Sequence, residues 1–521
     1  MNYFITGSVD YWTSAIEISE VQRLKIFDRL YQPAVIVETK YNEDHERAHK
    51  KFNIQNRVIN MFEFFQQLPF LNKPNNQEII SRILNQDRYA DDTNIAISKE
   101  GLMINGQLRI RLNYDPDGKW LTYVEQFDKY GRPSSTSFYD HGFKSYTNFY
   151  DDNGHQMIRQ YFNAMGFPII TYYYHWNAES KTNAIFNINY IDNYGITHIF
   201  DREEEFRAYF FDQLIKHDPY PVLISDRSDQ ALEAFKMMKY QAPRFQYFHA
   251  AFTFTGEPKP VDDDDKVDLY EMLPGMYKTG AISGIISSTK REAREAGKYY
   301  HVHSYALPVF ATSQKIMNNQ VDFSHRKKGR IIAIARQDQV KQLDHIINAV
   351  IQLKPTHPEI SLRIYGYKNS DNNYETPRLL EKLIKENHAE DYIKIHEYKQ
   401  NLNDVYNSAQ IEILTSKTEG FAIALQEAQE HGCPVISYDI SYGPSEIIEN
   451  GKTGLLIAKN DHKALIGSID NLLSHQEILK EFSKNAPDAV RKYSFENLTR
   501  RWKRFLKKEN IFLTPEMQSQ N

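Results

Sequence analysis

The 521-residue chain contains one cysteine, Cys433. A lone thiol cannot close an intrachain disulfide, so no disulfide framework supports this fold, and a reducing compartment suits it. Cys433 opens an apolar run and reads as a small buried side chain rather than a nucleophile. No apolar run approaches the roughly 18 residues needed to cross a bilayer, and the start lacks the basic-then-apolar pattern of a secretory signal. The expected location is the cytoplasm, including the inner face of the cell membrane. A surplus of positive charge is also missing. Lys and Arg total 63 against 68 Asp and Glu, a net charge of −5, which excludes a general pull on nucleic acid or another polyanion. Any grip on phosphate must be local. What the chain has in quantity is aromatic side chains, 35 Tyr and 30 Phe, suited to aromatic strands, to sugar-stacking surfaces and to plain packing. Its length allows two or three domains.

The chain opens as β-α-β. MNYFITGSV reads as a strand ending in a glycine turn, the segment through Leu30 as a helix, and PAVIVET as a second strand, the start of a Rossmann-like half. From about residue 79 to 200 that rhythm gives way to a recurring phrase: YDPDG, FDKYG, YDHG, YDDNG, FNAMG and IDNYG. The first five of its glycines are 13, 11, 12 and 12 residues apart. Aromatic strand, Asp/Asn turn, Gly, next strand: this predicts an antiparallel β-meander inserted into the first half. The α/β pattern returns at Asp201, with a helix in EEEFRAYFFDQLI, strands at PVLISD and RFQYFHAAFTF, and a last strand in VHSYALPVF before the polar linker ATSQKIMNNQ. The tetrad Asp262 to Asp265 reads as a solvated loop. His45 with His49, and His301 with His303, are each too few ligands for a metal site. A new α/β unit starts near Arg330, and YSFENLTRRWKRFLKK closes the chain as a basic amphipathic helix.

The second half is organised around Thr418–Gly454. IEILTS reads as a buried strand; Glu419 and Gly420 follow as a tight turn that lets a ligand approach. A helix begins near Ala422, and its free N–H groups favour an anion at the turn. Glu427, eight residues after Glu419, sits two turns along. Two acceptors held apart in this way suit the paired hydroxyls of a sugar and a ribose. Glu-x7-Glu after a strand, followed by HGCPVIS and YGPSEII-x-NGKTG, resembles the donor site of retaining GT-B glycosyltransferases of the family-4 type. The aromatic meander and NMFEFFQ, residues 60–66, resemble the Gram-positive branch that includes poly(glycerol-phosphate) and poly(ribitol-phosphate) teichoic acid glycosyltransferases and the glycosyltransferases of Ser-rich and Ser-Asp adhesins.

The resemblance implies two Rossmann-like domains facing a cleft. Residues 1–78 and 201–315 form the first, 79–200 the inserted meander, 316–490 the nucleotide-sugar domain, and 491–521 a helix crossing back to the first. It implies a UDP-sugar donor, glucose or N-acetylglucosamine, as a substrate, with no cofactor and no metal. Arg336 and Lys341, spaced as the family's Arg-x4-Lys clamp, would neutralise the departing diphosphate. Glu419 would hold sugar hydroxyls, Glu427 the ribose, and His249 the donor sugar from the other domain. Gly420, Phe421, Ala422 and Ile423 would line the donor site. Ala15 stands where relatives often carry a glycine. The meander would bind a polyol-phosphate or Ser-rich acceptor or mediate self-association or a partner subunit. The basic final helix also suits peripheral contact with an anionic membrane. A non-catalytic acceptor-binding subunit is the alternative from another class, and such chains typically lose the Glu pair or the Arg/Lys pair.

Overall fold

A computed structural model describes residues 1–67, 76–84, 95–98, 101–115, 118, 120–140, 143–318 and 322–512. Pro116, Asp117, His141 and Gly142 of two turn phrases, Asn319 and Gln320 of the linker, and the end of the final segment from residue 513 lie outside the described residues. Contacts divide the chain into two compact units, one of Met1–Val21 and Ala34–Ala242, the other of Gln22–Pro33 and the chain from Pro243 onward. Among the described residues no helix is long and apolar enough to cross a membrane.

In the first unit, strand Asn2–Thr6 runs parallel between Val222–Ser225 and Ala34–Glu38, and Val58–Asn60 follows Ala34–Glu38. All five residues of Asn2–Thr6 are buried, as expected of a parallel strand covered on both faces. Helix Ala15–Arg29 starts on a capping box: Ser14 Oγ accepts the Ile16 N–H, and the Glu17 carboxylate accepts the Ser14 N–H. Ala15 is its exposed first residue.

The meander is a ten-stranded antiparallel sheet from Ile95–Ile97 to Thr197–Phe200, and each strand pairs with its neighbours in sequence. Four turns are built alike. The N–H groups of Asp128, Asp151, Asn163 and Asp192 reach the carbonyls of Arg132, His155, Phe167 and Ile196. Their side-chain Oδ1 atoms each take two further N–H groups of the same turn. The glycines that follow, Gly131, Gly154, Gly166 and Gly195, lie at φ of 78–84°, which closes the turn without a Cβ penalty.

One face of this sheet carries a row of aromatic rings, Tyr123, Phe138, Tyr146 and Tyr161, with centroids 4.4–5.6 Å apart. NMFEFFQ covers it as helix Met61–Gln66. Phe62 stacks on Tyr161 at 4.2 Å, Phe65 meets Tyr190 at 4.5 Å, and Gln66 Nε2 donates to the carbonyls of Ser145 and Phe162. The segment singled out by resemblance is therefore the peg between its own half and the inserted sheet.

The second unit holds parallel strands Arg244–Phe248, Gly284–Ser287 and Ser304–Ala306. The strand expected through Phe254 ends at Phe248, and the one expected through Phe310 covers three residues. Strand Gly284–Ser287 and helix Lys290–Tyr300 were not anticipated, because GIIS offers only two apolar side chains between small polar ones. Asp265, expected in a solvated loop, is buried and accepts from Thr255 and Val261, pinning the loop. The final helix, Phe495–Lys508, packs Trp502 on Phe27 at 5.3 Å and Phe505 on Phe245 and Tyr305 at 5.0 and 4.8 Å.

The six-stranded parallel sheet of this unit runs in the order Ile393–His396, Ser361–Tyr365, Arg330–Ile334, Ile411–Leu414, Val435–Tyr438, Gly454–Ile457. Counted along the chain, that is 3-2-1-4-5-6, so strand order reverses between Arg330–Ile334 and Ile411–Leu414. Ligands of such sheets bind beyond the carboxyl ends of the strands at that reversal.

Candidate active site

Arg336 and Lys341 follow the first of those two strands, and Glu419 and Gly420 follow the second. The two strand ends are laced together: Thr415 Oγ1 donates to the carbonyls of Lys341 and Gln342, and the Lys417 N–H donates to the Val340 carbonyl. The lacing brings Lys341 Nζ to 2.6 Å from Glu419 Oε1, and Ser416 Oγ donates to the same oxygen at 2.7 Å. Both side chains are largely buried, at 16% and 14% exposure, so the pair is far less screened than a surface bridge. Arg336 is apart from it. Its guanidinium is half-exposed and lies 3.5 Å from Asp338 Oδ2, while Asp338 Oδ1 caps the turn through the Val340 N–H.

The turn after Glu419 is tightly enclosed. A Cβ on Gly420 would collide with the His249 carbonyl and approach the Ala250 Cα to 3.1 Å; one on Gly443 would collide with the Phe421 carbonyl; one on Gly256 would stand 2.5 Å from Thr418 Oγ1. Ala422 sits in the left-handed region, φ 69° and ψ 62°, which is costly for alanine. That conformation swings the chain into helix Ile423–Glu430, whose start has no side-chain cap, leaving its first N–H groups for a ligand. Phe421 contributes backbone only, since its ring packs edge-on to Tyr493 at 5.3 Å. Ile423 is half-buried at the first position of the helix.

His249 lies one residue past its strand, stacked on Tyr247 at 4.5 Å, with its main chain against Gly420. Glu427 is on the helix away from the Lys341–Glu419 pair, where Tyr406 donates to Oε2 at 2.9 Å. Burial pushes its carboxyl up to about 6, with the Tyr406 hydrogen bond opposing. Burial likewise raises Glu430 to about 7, offset by the N–H of Ser313 and by Gln426. Ser416, Asp338, Tyr406 and Gly443 are the contributors that sequence reasoning gave no role. Ser416 stands three residues before Glu419 and Asp338 two residues after Arg336, but such spacings are too common to single them out.

His45 and His49 stack with ring centroids 5.5 Å apart, but each takes its own carboxylate partners. His45 Nε2 lies 3.1 Å from Glu63 and 3.5 Å from Asp140, and these three donor atoms are within 4.8 Å of one another; His49 instead contacts Glu38 at 3.0 Å. The opposing carboxylates, outweighing burial, hold His45 up at about 10, so it reads as a protonated clamp between helix His45–Phe52 and the inserted sheet. His301 ends a helix in the left-handed region, and His303 packs on Tyr277 at 5.3 Å.

Residues 317–489 match the family model described as glycosyl transferases group 1. The chain thus carries a group 1 glycosyltransferase domain, and its fold is GT-B. The crystal structure of TarM superposes with a TM-score of 0.78 at 18% identity, covering 98% of each chain. Among relatives by sequence, the poly(glycerol-phosphate) alpha-glucosyltransferase of Bacillus subtilis is 23% identical over 397 residues, 75% of this chain and 56% of that one. The UDP-N-acetylglucosamine–peptide N-acetylglucosaminyltransferase GtfA subunit of Streptococcus pneumoniae is 30% identical over 175 residues, 33% of this chain and 32% of that one. The poly(ribitol-phosphate) alpha-N-acetylglucosaminyltransferase of Staphylococcus aureus is 22% identical over 526 residues, 96% of this chain and 98% of that one. The chain thus spans about half and a third of the first two of these relatives, and nearly all of the third.

Proposed function

We propose that the protein is a retaining hexosyltransferase that moves glucose or N-acetylglucosamine from a UDP-sugar to a poly(glycerol-phosphate) or poly(ribitol-phosphate) chain. The observation that carries this is the Lys341–Glu419 pair beside an uncapped helix start at the reversal of strand order. The bond from the anomeric carbon to the diphosphate breaks as positive charge builds on the sugar; its electrons leave with the diphosphate, an acceptor hydroxyl oxygen bonds the anomeric carbon from the same face, and that hydroxyl's proton passes to the departing diphosphate. Lys341, Arg336 and the helix N-terminus stabilise that charge where it develops. Glu419 accepts sugar hydroxyls, Glu427 the ribose, and His249 closes on the donor sugar. No resident metal is required, and a chelator leaves turnover intact.

The polyol-phosphate acceptor is favoured because the two relatives that act on such polymers align with 75% and 96% of this chain, against 33% for the peptide-modifying one. A Ser-rich protein is the second reading, because the peptide-modifying relative has the higher identity over its shorter match. The open edge strand Thr197–Phe200, with Tyr194, Ile196 and Ile199 exposed, suits a second copy or a partner subunit. Arg500, Lys503, Arg504, Lys507 and Lys508, exposed on the final helix, suit an anionic inner membrane face. The test is to incubate purified protein with each UDP-sugar and with teichoic acid or Ser-rich peptide side by side, reading UDP release and acceptor mass. No UDP release with any donor would leave the non-catalytic reading standing.

A further inference from the structure

The turn between strand Asn2–Thr6 and helix Ala15–Arg29 encloses a cavity of about 350 Å³ in the first unit. Its charged groups are unequally committed. The Glu17 carboxylate is saturated, accepting from Thr13 Oγ1, from the N–H and Oγ of Ser14, and from Arg227 at 3.1 and 2.5 Å. Arg227 is thereby neutralised where it stands. Lys40 is different. Its main chain is pinned, the N–H donating to the Gly7 carbonyl and the carbonyl accepting from Asn60 Nδ2. Its stem passes Gly7, and its ammonium makes no hydrogen bond or ion pair with the described residues. Facing the same space, Asp10 accepts from Ser8 Oγ and Asn42 Nδ2, and Trp12 stands at the rim, 69% exposed.

An exposed cation with no partner among the described residues, beside hydrogen-bonding carboxylates and hydroxyls, fits a ligand that carries one negative charge among several hydroxyls. A polyol-phosphate repeat has that pattern, whereas a Ser-rich segment offers hydroxyls without the anion. Three arginines of the inserted sheet are already engaged by its own side chains. Arg111 pairs with Glu125, Arg132 with Asp128 and Asp152, and Arg159 donates to Asn148 while lying over the Tyr146 ring.

We propose that this cavity holds one repeat of the acceptor, with Lys40 reading its phosphodiester and Asp10 its hydroxyls, so that Lys40 selects a phosphate-bearing acceptor. The proposal rests on the glycosyltransferase reading above. The test uses the full chain with Lys40→Ala and Lys40→Arg and a synthetic glycerol-phosphate hexamer. Calorimetric binding of the hexamer is measured without donor, and KM for hexamer and for UDP-sugar is measured in transfer. Lys40→Ala is expected to weaken hexamer binding and raise hexamer KM by about tenfold, the loss of one charged hydrogen bond. The effect falls on the hexamer rather than the donor, is recovered by Lys40→Arg, and shrinks at high salt. An active protein whose hexamer KM is indifferent to Lys40→Ala, or that loses a neutral Ser-rich acceptor equally, overturns the pocket and leaves the enzyme reading standing. A protein that binds the hexamer through Lys40 yet turns over no donor keeps the pocket and sinks the enzyme reading.

Discussion

In the inserted sheet four turns are each finished within five residues, whereas in the six-stranded sheet the two strand ends at the reversal are finished by residues far away in the chain. The turn at Asn163 uses only its own N–H groups, its own Oδ1 and Gly166. The turn at Glu419 is held by Lys341, lies under the main chain of His249 and rests on Gly443. Locality decides what a substitution does. A change in the sheet's turns stays a stability effect of that hairpin. A change at the strand ends displaces charged groups that must be in place together.

The largest expected effects are therefore at the strand ends. Lys341→Ala should lower turnover by about 10²–10³, as loss of one preorganised group at a developing charge does, with Arg336→Ala in the same direction and circular dichroism unchanged. The comparison breaks if a turn substitution in the inserted sheet costs as much. Next comes a matched pair of glycines. Gly420→Ala places a methyl against the His249 and Ala250 main chain, which cannot swing aside as a side chain can. It should cost about 1–3 kcal/mol as overpacking does and also lower turnover more than tenfold. Gly166→Ala meets open space and suffers only its φ of 83°, about 1–2 kcal/mol, with turnover unchanged. Thermal melts and UDP-release rates on the same preparations separate the two.

The same locality sets what could be read from sequence. The repeated Asp/Asn-to-Gly phrase predicted the meander because everything that makes those turns lies within the phrase and the one residue after it. The Asn105-Gly106 turn, with φ of 52° and 78°, was equally legible and was passed over. Glu419, Gly420, Glu427, Arg336 and Lys341 were named because their spacing resembles a family's donor site. That Glu419 and Lys341 bond to one another depends on Thr415 lacing two strand ends, and no spacing announces that. Ser416, at the end of IEILTS, and Gly443, inside the motif, were without a readable job for the same reason, and the short strand Gly284–Ser287 is a strand only because its neighbours pair with it.

A pH profile sharpens the comparison on the nonlocal side. Glu427 must be ionised to accept ribose hydroxyls, and burial lifts its carboxyl to about 6. Donor KM should rise as pH falls through about 6, with acceptor KM less affected. Tyr406→Phe removes the hydrogen bond that opposes the lift, so the midpoint should move to higher pH. Stability has the opposite sign. A carboxyl that holds its proton more tightly when folded contributes stability below its unfolded pKa, and that contribution is lost as pH rises through about 6. A donor KM flat from pH 5 to 8 would remove Glu427 from the ribose.

The smallest effect tests the local side on its own terms. Asn163 occupies the position that Asp128, Asp151 and Asp192 fill in the other turns, and all four use Oδ1 on the same pair of N–H groups. If the turn is self-contained, Asn163→Asp is interchangeable and should change stability by less than about 0.5 kcal/mol. Asn163→Ala deletes both bonds. Because the turn is exposed, water takes up the freed N–H groups, so the cost should be only about 1 kcal/mol. Neither change should alter turnover or donor KM. Denaturant unfolding that resolves the two substitutions in that order, with kinetics unchanged, is the expected result. A kinetic defect in Asn163→Ala would mean that the sheet is coupled to the donor site through its turns, and that locality does not divide the molecule in the way its hydrogen bonds do.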